Sequence, residues 1–251
     1  MISILAPFCN GLTLACRKDF LYKAILALSI FINIPFNIYA NQGMKIRLNP
    51  PHFKAVDPKI LLEKRYSCRS FQEKGLNLDD VASILWATCG EKQDAITQAT
   101  RTIPSAGATY PLELYVVIGR NCIDKIKEGV YHYKIAGHSL ELIAEGDKRA
   151  ELADACLNQD FIKEAPVSLV ITAKFQRTTG RYGARGERYV YMEVGHACQN
   201  TYLAVTNLGL STVEVGAFID DSVKGVLGLD KYCIPLSVMP IGYPIGIKWV
   251  E

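Results

Sequence analysis

The chain has 251 residues, 49% of them hydrophobic and 21% charged, enough for one well-buried core and short for two. Of its charged residues, Arg17, Lys18, Lys23 and Asp19 fall in the first 40 positions, leaving 25 basic against 24 acidic residues beyond them; a body so nearly neutral lacks the basic stripe that nucleic acid requires. Eight cysteines, at 9, 16, 68, 89, 122, 156, 198 and 233, include no C-x-x-C, and the four histidines, at 52, 132, 138 and 196, no H-E-x-x-H, so no metal is expected.

In chain order, a basic patch from Lys18 to Lys23 precedes an apolar run, Ala24 to Ile32, which Pro35 breaks shortly before Ile38-Tyr39-Ala40, a signal-peptidase-like site. Residues 1–40 are therefore read as a secretory signal and residues 41–251 as one domain. The uncharged run from Ala24 to Met44 nearly reaches the ~20 residues of a membrane span, but Asn33, Pro35, Asn37 and Asn41 make it a poor permanent anchor, and none is expected after cleavage. Use of the signal implies export, to the periplasm; translation from Met44 implies the cytoplasm. If the protein is exported, Cys122 or Cys233 could pair with other cysteines, though most read as small buried apolar residues.

Asp57-Pro58 opens a short helix to Leu62 as N-cap and first-turn proline. A helical turn continuing through Arg65-Tyr66-Ser67-Cys68-Arg69 would gather both guanidiniums and the Ser67 hydroxyl into a phosphate grip; the same residues also suit a solvated basic helix end. Leu78 to Cys89 is a packing helix closed by Gly90. Arg101 to Gly119 joins a loop of small residues, Pro104-Ser105-Ala106-Gly107-Ala108, to a strand, Glu113 to Gly119, and a flat ligand can approach such a main chain closely.

Gly129 to Tyr133 and Ser139 to Ile143 form a hairpin around Ala136-Gly137-His138. Asp147 to Leu157 is an amphipathic helix, and Pro166 to Phe175 an apolar strand central in its sheet. Glu187 to Leu208 reads as a long helix, apolar nearly all round, whose Glu193, His196 and Asn200 share one stripe beside Gly195 and Ala197. That stripe suits a subunit interface, the edge of a ligand site or a satisfied buried network. Thr212 to Gly216 is a short strand, Asp220 caps a helix to Leu227, and Pro235 to Tyr243 is the last strand.

In this order R-x-S-x-R at Arg65 to Arg69, PSAGATYP at Pro104 to Pro111, GVYHY at Gly129 to Tyr133, GHACQN at Gly195 to Asn200, VGAF at Val215 to Phe218 and IGYP at Ile241 to Pro244 resemble the nitroreductase superfamily, in particular its SagB-type dehydrogenase branch. The resemblance spans about Asp57 to Pro244. It implies an α+β fold with a central, mostly antiparallel or mixed sheet flanked by helices, in an intertwined homodimer with FMN at the interface. It also implies an oxidoreductase that moves two electrons as hydride through flavin N5 in a ping-pong cycle, with NADPH or NADH as donor and a small molecule as acceptor.

Carried over by position, the resemblance puts Arg65, Ser67 and Arg69 on the FMN phosphate and ribityl chain, with Tyr66 beside them. Pro104, Ser105, Ala106 and Gly107 would line the flavin ring from the partner subunit, and the backbone of Val215 and Gly216 would reach its N5 edge. Similar proteins carry T-x-K-Y-G before R-G-x-R-Y; here Thr179-Gly180-Arg181-Tyr182-Gly183 precedes Arg185-Gly186-Glu187-Arg188-Tyr189. The Lys-Tyr pair moves the proton in the branch that oxidises azolines in peptide natural products. Arg181 cannot act as a base near neutral pH, so that role passes to Tyr182 or is absent. A non-catalytic flavin-binding protein and an azoline dehydrogenase of peptide maturation are the alternative readings.

Overall fold

In the computed structural model, residues 44–94, 96, 98 and 100–246 are described; the expected signal, residues 1–40, with Cys9 and Cys16, lies outside them. The elements in chain order are β1 (Lys45–Arg47), α1 (Pro58–Lys64), α2 (Leu78–Cys89), β2 (Leu112–Ile118), β3 (Gly129–Lys134), β4 (Ser139–Glu145), α3 (Arg149–Ala155), α4 (Phe161–Glu164), β5 (Val167–Ala173), α5 (Gln176–Tyr182), α6 (Arg185–Asn207), β6 (Ser211–Thr212), α7 (Asp220–Leu227) and β7 (Ile234–Gly242). The strands form one sheet in the order β1-β4-β3-β2-β5-β7-β6. Every pairing in it is antiparallel. The architecture is α+β, as the motifs imply.

The two most apolar strands hold the middle. Val116 of β2 lies between Tyr131 of β3 and Leu169 of β5, and all seven residues of β5 are buried. Alternation along β2 explains why one face alone cannot cover it. Leu114, Val116 and Ile118 belong to a core with Ile84 and Leu85 of α2 and Val190, Val194 and Ala197 of α6. Tyr115 and Val117 belong to a second core with Leu152 of α3 and Val223 and Leu227 of α7. Each fully buried aliphatic side chain of this kind contributes roughly 1.5–3 kcal/mol.

Local signals set several boundaries. Asp57 accepts the Lys59 N–H at 2.8 Å, with Pro58 opening α1, and α2 runs from Leu78 to Cys89 with Gly90 as C-cap. The β3–β4 hairpin turns through Gly137 and His138, both at positive φ. Four expectations are corrected. The chain after Lys64 is extended, Arg65 having φ −60° and ψ 127°. Asp147 stays outside α3 because its carboxylate accepts from Arg149 Nη2 at 2.7 Å and from the Arg120 N–H at 3.0 Å. Asp220 is the first residue of α7 with Ile219 as N-cap; as first-turn carboxylates, Asp220 and Asp221 still complement the helix dipole. Strand β6 covers only Ser211–Thr212, and Val215 pairs separately with Val238.

The long helix is also less enclosed than its composition suggests. Its C-terminal half is buried, but near its start Tyr191 and Met192 are 57% and 54% exposed, and Gly195, His196 and Gln199 face solvent. The six cysteines among the described residues are free and buried.

Candidate functional site

The R-x-S-x-R segment owes its geometry to the sheet edge. Ser67 bridges Thr212 of β6, and the Cys68 N–H donates to the Thr212 carbonyl at 2.9 Å. In an extended chain alternate residues share a side, so Arg65, Ser67 and Arg69 form one row. The opposite row is Tyr66 and Cys68, which pack with Phe71 and Ala165. The Tyr66 hydroxyl accepts from Ser211 Oγ at 3.3 Å, and burial pushes its pKa up to about 12. The stretch expected to continue as a helical turn is thus an extended one with a single β-bridge, at Ser67.

Tyr202 of α6 ties this row to the next motif. Arg65 lies over its ring, the guanidinium carbon 5.1 Å from the centroid. The Tyr202 hydroxyl is 3.2 Å from Ser67 Oγ and accepts the Glu214 N–H at 2.8 Å. Both backbone groups of Val215 are bonded to Val238, at 2.9 Å each. Gly216, which is exposed, is therefore the one of the pair with main chain to offer. Among the described residues neither Arg65 nor Arg69 has a carboxylate partner.

A second cluster forms around the small-residue loop. Ala106 to Ala108 make one tight turn with Gly107 at φ 58°, and Ser105 Oγ accepts the Tyr110 N–H at 3.0 Å. Against this turn lie Arg181 and Tyr182, at the end of α5. Arg181 Nη1 donates to the Gly107 carbonyl at 2.8 Å. A Cβ at Gly107 would strike the Tyr182 hydroxyl and stand 2.8 Å from Arg181 Nη1. The ring of Tyr182 meets that of Tyr189 edge-on, centroids 5.2 Å apart. Two motifs whose contacting residues, Gly107 and Arg181, stand 74 apart in sequence therefore meet in the fold.

Beneath the loop a cavity of about 200 Å³ is lined by Pro104, Ser105, Ala106, Tyr189, Met192, Glu193 and His196. Glu193 is 3% exposed, and its Oε1 has no hydrogen-bond partner. Burial raises its pKa to about 7, the Ser105 hydroxyl opposing that rise only in part. The stripe of Glu193, His196 and Asn200 is not one network: Asn200 Nδ2 donates to the Ala87 carbonyl at 2.9 Å, and His196 is exposed. The sequence singled out Glu193 as part of that stripe, with the edge of a ligand site as one of its readings, but gave it no role of its own. The available signal was a carboxylate set among Val190, Val194 and Ala197 at core spacing.

The two clusters attach to α6 at Tyr202 and Glu193, nine residues apart, or about 14 Å of helical rise. Larger grooves, of about 420 Å³ against Phe53, Trp86 and Leu203 and about 710 Å³ against Pro50, Pro51 and His138, hold none of the expected site residues.

Residues 62–243 match the model of the nitroreductase family. A Methanocaldococcus jannaschii protein named as a nitroreductase is 44% identical over 81% of this chain and 99% of its own length. The trifolitoxin-processing protein TfxB of Rhizobium leguminosarum is 31% identical over 61% of this chain, which spans only 43% of it. The crystal structure of a Ralstonia eutropha protein, also named as a nitroreductase, superposes with a TM-score of 0.69 at 25% identity, covering 81% of this chain and 90% of that one. A family match over most of the chain, on the same antiparallel sheet, establishes that the protein belongs to the nitroreductase family of oxidoreductases.

Proposed function

We propose that the protein is an FMN-dependent oxidoreductase and that its flavin sits between the Arg65–Arg69 row of one subunit and the Pro104–Gly107 loop of another. The observation that carries this reading is the row itself: two guanidiniums with no carboxylate partner among the described residues, and a hydroxyl, on one extended stretch beside the exposed main chain of Gly216. Arginine stays charged at any working pH and presents a planar fork to phosphate. The small side chains of Ser105, Ala106 and Gly107 make a surface that a flat ring can cover. Bound FMN would supply an N5 that takes up and gives out hydride.

The chain's own groups divide the remaining work. Arg181, held to the loop by the Gly107 carbonyl, keeps an anionic donor such as NADPH or NADH in place. Tyr182 holds an ionisable hydroxyl at the loop surface. Donor and acceptor use one slot in turn, which is a ping-pong cycle. The exposed face of Tyr191, Met192, Gly195 and His196 supports a homodimer, because the two clusters sit on opposite halves of α6 and a second copy brings each to the other.

The test is colour. The purified protein is expected to be yellow, with roughly one FMN per subunit, to bleach with NADPH or NADH without air, and to recover on adding a quinone or nitroaromatic. A protein that refuses added FMN rules the reading out, and one that binds flavin but does not bleach is a flavin store. Similarity to a trifolitoxin-processing protein favours a second reading, dehydrogenation of azolines in a peptide. Turnover of an azoline-containing peptide, with none of quinones, would establish it.

A further inference from the structure

The cavity under the Pro104–Gly107 loop contains an acid that the flavin reading does not use. Glu193 is 97% buried, counting its 3% exposure, and its Oε1 is unpartnered in a cavity walled by Ser105, Ala106, Tyr189 and His196. A buried carboxylate with one oxygen unpartnered and a single hydroxyl to oppose its burial is costly, so such a group stays neutral or serves a ligand. Ser105 Oγ already accepts the Tyr110 N–H, so its own proton is free to turn toward Glu193. Resting on the flavin reading above, we propose that Glu193 is the catalytic acid of this pocket, giving its proton to the carbonyl oxygen of a neutral, ring-sized acceptor such as a small quinone.

The size of the site sets the substrate class. About 200 Å³ holds one aromatic ring, since an apolar cavity of roughly 150 Å³ takes up benzene. Neutrality follows from the absence of a paired charge: an anionic acceptor would meet the carboxyl group just as it becomes a carboxylate. In the step, hydride adds to the acceptor and leaves negative charge on its oxygen. The Glu193 O–H bond breaks, a new O–H bond forms on that oxygen, and the carboxylate recovers its proton from water. The sum is one NAD(P)H, one quinone and one proton giving NAD(P)+ and one hydroquinone.

The surroundings agree with an acid poised near neutrality. On its own helix Tyr189 and His196 line the cavity; the Cys89 thiol of α2, outside that lining, feels the Glu193 charge and is pushed up to about 12, by burial first and by Glu193 second. Arg101 and Glu113, which also act on Cys89, are engaged elsewhere, Arg101 with Glu91 at 3.7 Å and Glu113 with His132 at 2.8 Å. Burial then holds the Glu193 proton up to about pH 7.

The experiment uses the full protein loaded with FMN and 1,4-benzoquinone as acceptor, comparing wild type with Glu193→Gln and Glu193→Asp. Flavin content is measured first, then reoxidation by the quinone in stopped flow from about pH 5.5 to 8.5. Wild-type reoxidation is expected to slow about tenfold per pH unit above about 7. Glu193→Gln should keep its flavin, be slowed by roughly 100-fold or more and lose that dependence; Glu193→Asp should regain it at a reduced rate. Independently of turnover, infrared difference spectra should show a protonated-carboxyl band that fades near pH 7 and is missing in Glu193→Gln. A flavin-loaded Glu193→Gln protein with the wild-type pH profile, or a wild type without the titrating band, overturns this inference alone. A wild type that binds no FMN overturns the flavin reading and the catalytic role together.

Discussion

Arg65 and Arg69 meet a phosphate differently from any pair of lysines, because each guanidinium offers two parallel donors from a charge that never titrates. Arg65 is further held by its place over the Tyr202 ring. Replacing Arg65 with Ala removes a charge-assisted hydrogen bond worth about 1.5–3 kcal/mol, so flavin affinity is expected to fall about 10- to 150-fold. Fluorescence titration of the apoprotein measures this, and unchanged affinity would take Arg65 out of the site. Tyr182→Phe keeps the ring against Tyr189 but deletes the hydroxyl at Gly107. Flavin should stay bound while turnover drops ~100- to 10,000-fold if that hydroxyl moves the proton. Arg181→Lys keeps the charge but loses the fork, and should mainly raise KM for the nucleotide. Glu193 also bears on stability. Its folded pKa of about 7 lies above the ordinary 4.5, so the stability it contributes is complete below about pH 4.5 and is lost as pH rises through about 7. Glu193→Gln should therefore gain on wild type across that window, by up to about 3 kcal/mol, as read from urea midpoints.

At the scale of elements, α5 carries the lesson. Its sequence, Gln176-Arg177-Thr178-Thr179-Gly180-Arg181-Tyr182, has no apolar period and contains a glycine, so propensity does not make it a helix. Tertiary anchors do. Arg177 donates to the Tyr110 carbonyl at 2.9 Å and to Glu113 Oε1 at 2.5 Å, and buried Thr178 meets Thr109 Oγ1 at 2.8 Å. Burial alone would raise the Glu113 pKa, but the hydrogen bond from His132 and the charge of Arg177 outweigh it and hold it at about 2. That stability is present above about pH 4.5 and is lost as pH falls toward 2. Arg177→Ala is expected to cost roughly 1–3 kcal/mol at neutral pH, toward the lower end because the side chain is partly exposed. It should also speed hydrogen exchange along α5, loosening Arg181 and Tyr182 without touching them. Exchange at wild-type rates would mean that packing on α6 alone holds this helix.

For the whole molecule, the open face of α6 decides the assembly. Tyr191 and Met192 stand exposed beside Gly195, where an added Cβ would meet nothing within 4 Å, so a second helix can approach closely. A dimer that persists at low micromolar concentration is expected by light scattering. Met192→Glu, which would bury an unpaired carboxylate in that contact, should yield monomers that lose flavin, since each flavin is proposed to draw on both subunits. A monomeric wild type would contradict this.

Much of the layout was legible in the linear chain because its causes are local. Asp57-Pro58 and Gly90 mark helix ends by satisfying or removing specific backbone donors, and the apolar runs of β2 and β5 have no stable place except the middle of a sheet covered on both faces. The order of the motifs likewise pointed to the family without any contact being known. What the sequence could not decide depends on partners remote along the chain. The Arg65–Arg69 row is extended because Thr212 offers it a hydrogen-bonding edge, and α5 is helical because Tyr110 and Glu113 hold Arg177. Glu193 stood out in the sequence as a polar exception on an apolar helix, but its raised pKa did not, because that is set by how much water and which donors surround the carboxyl group in the fold, and neither is written in its neighbours along the chain.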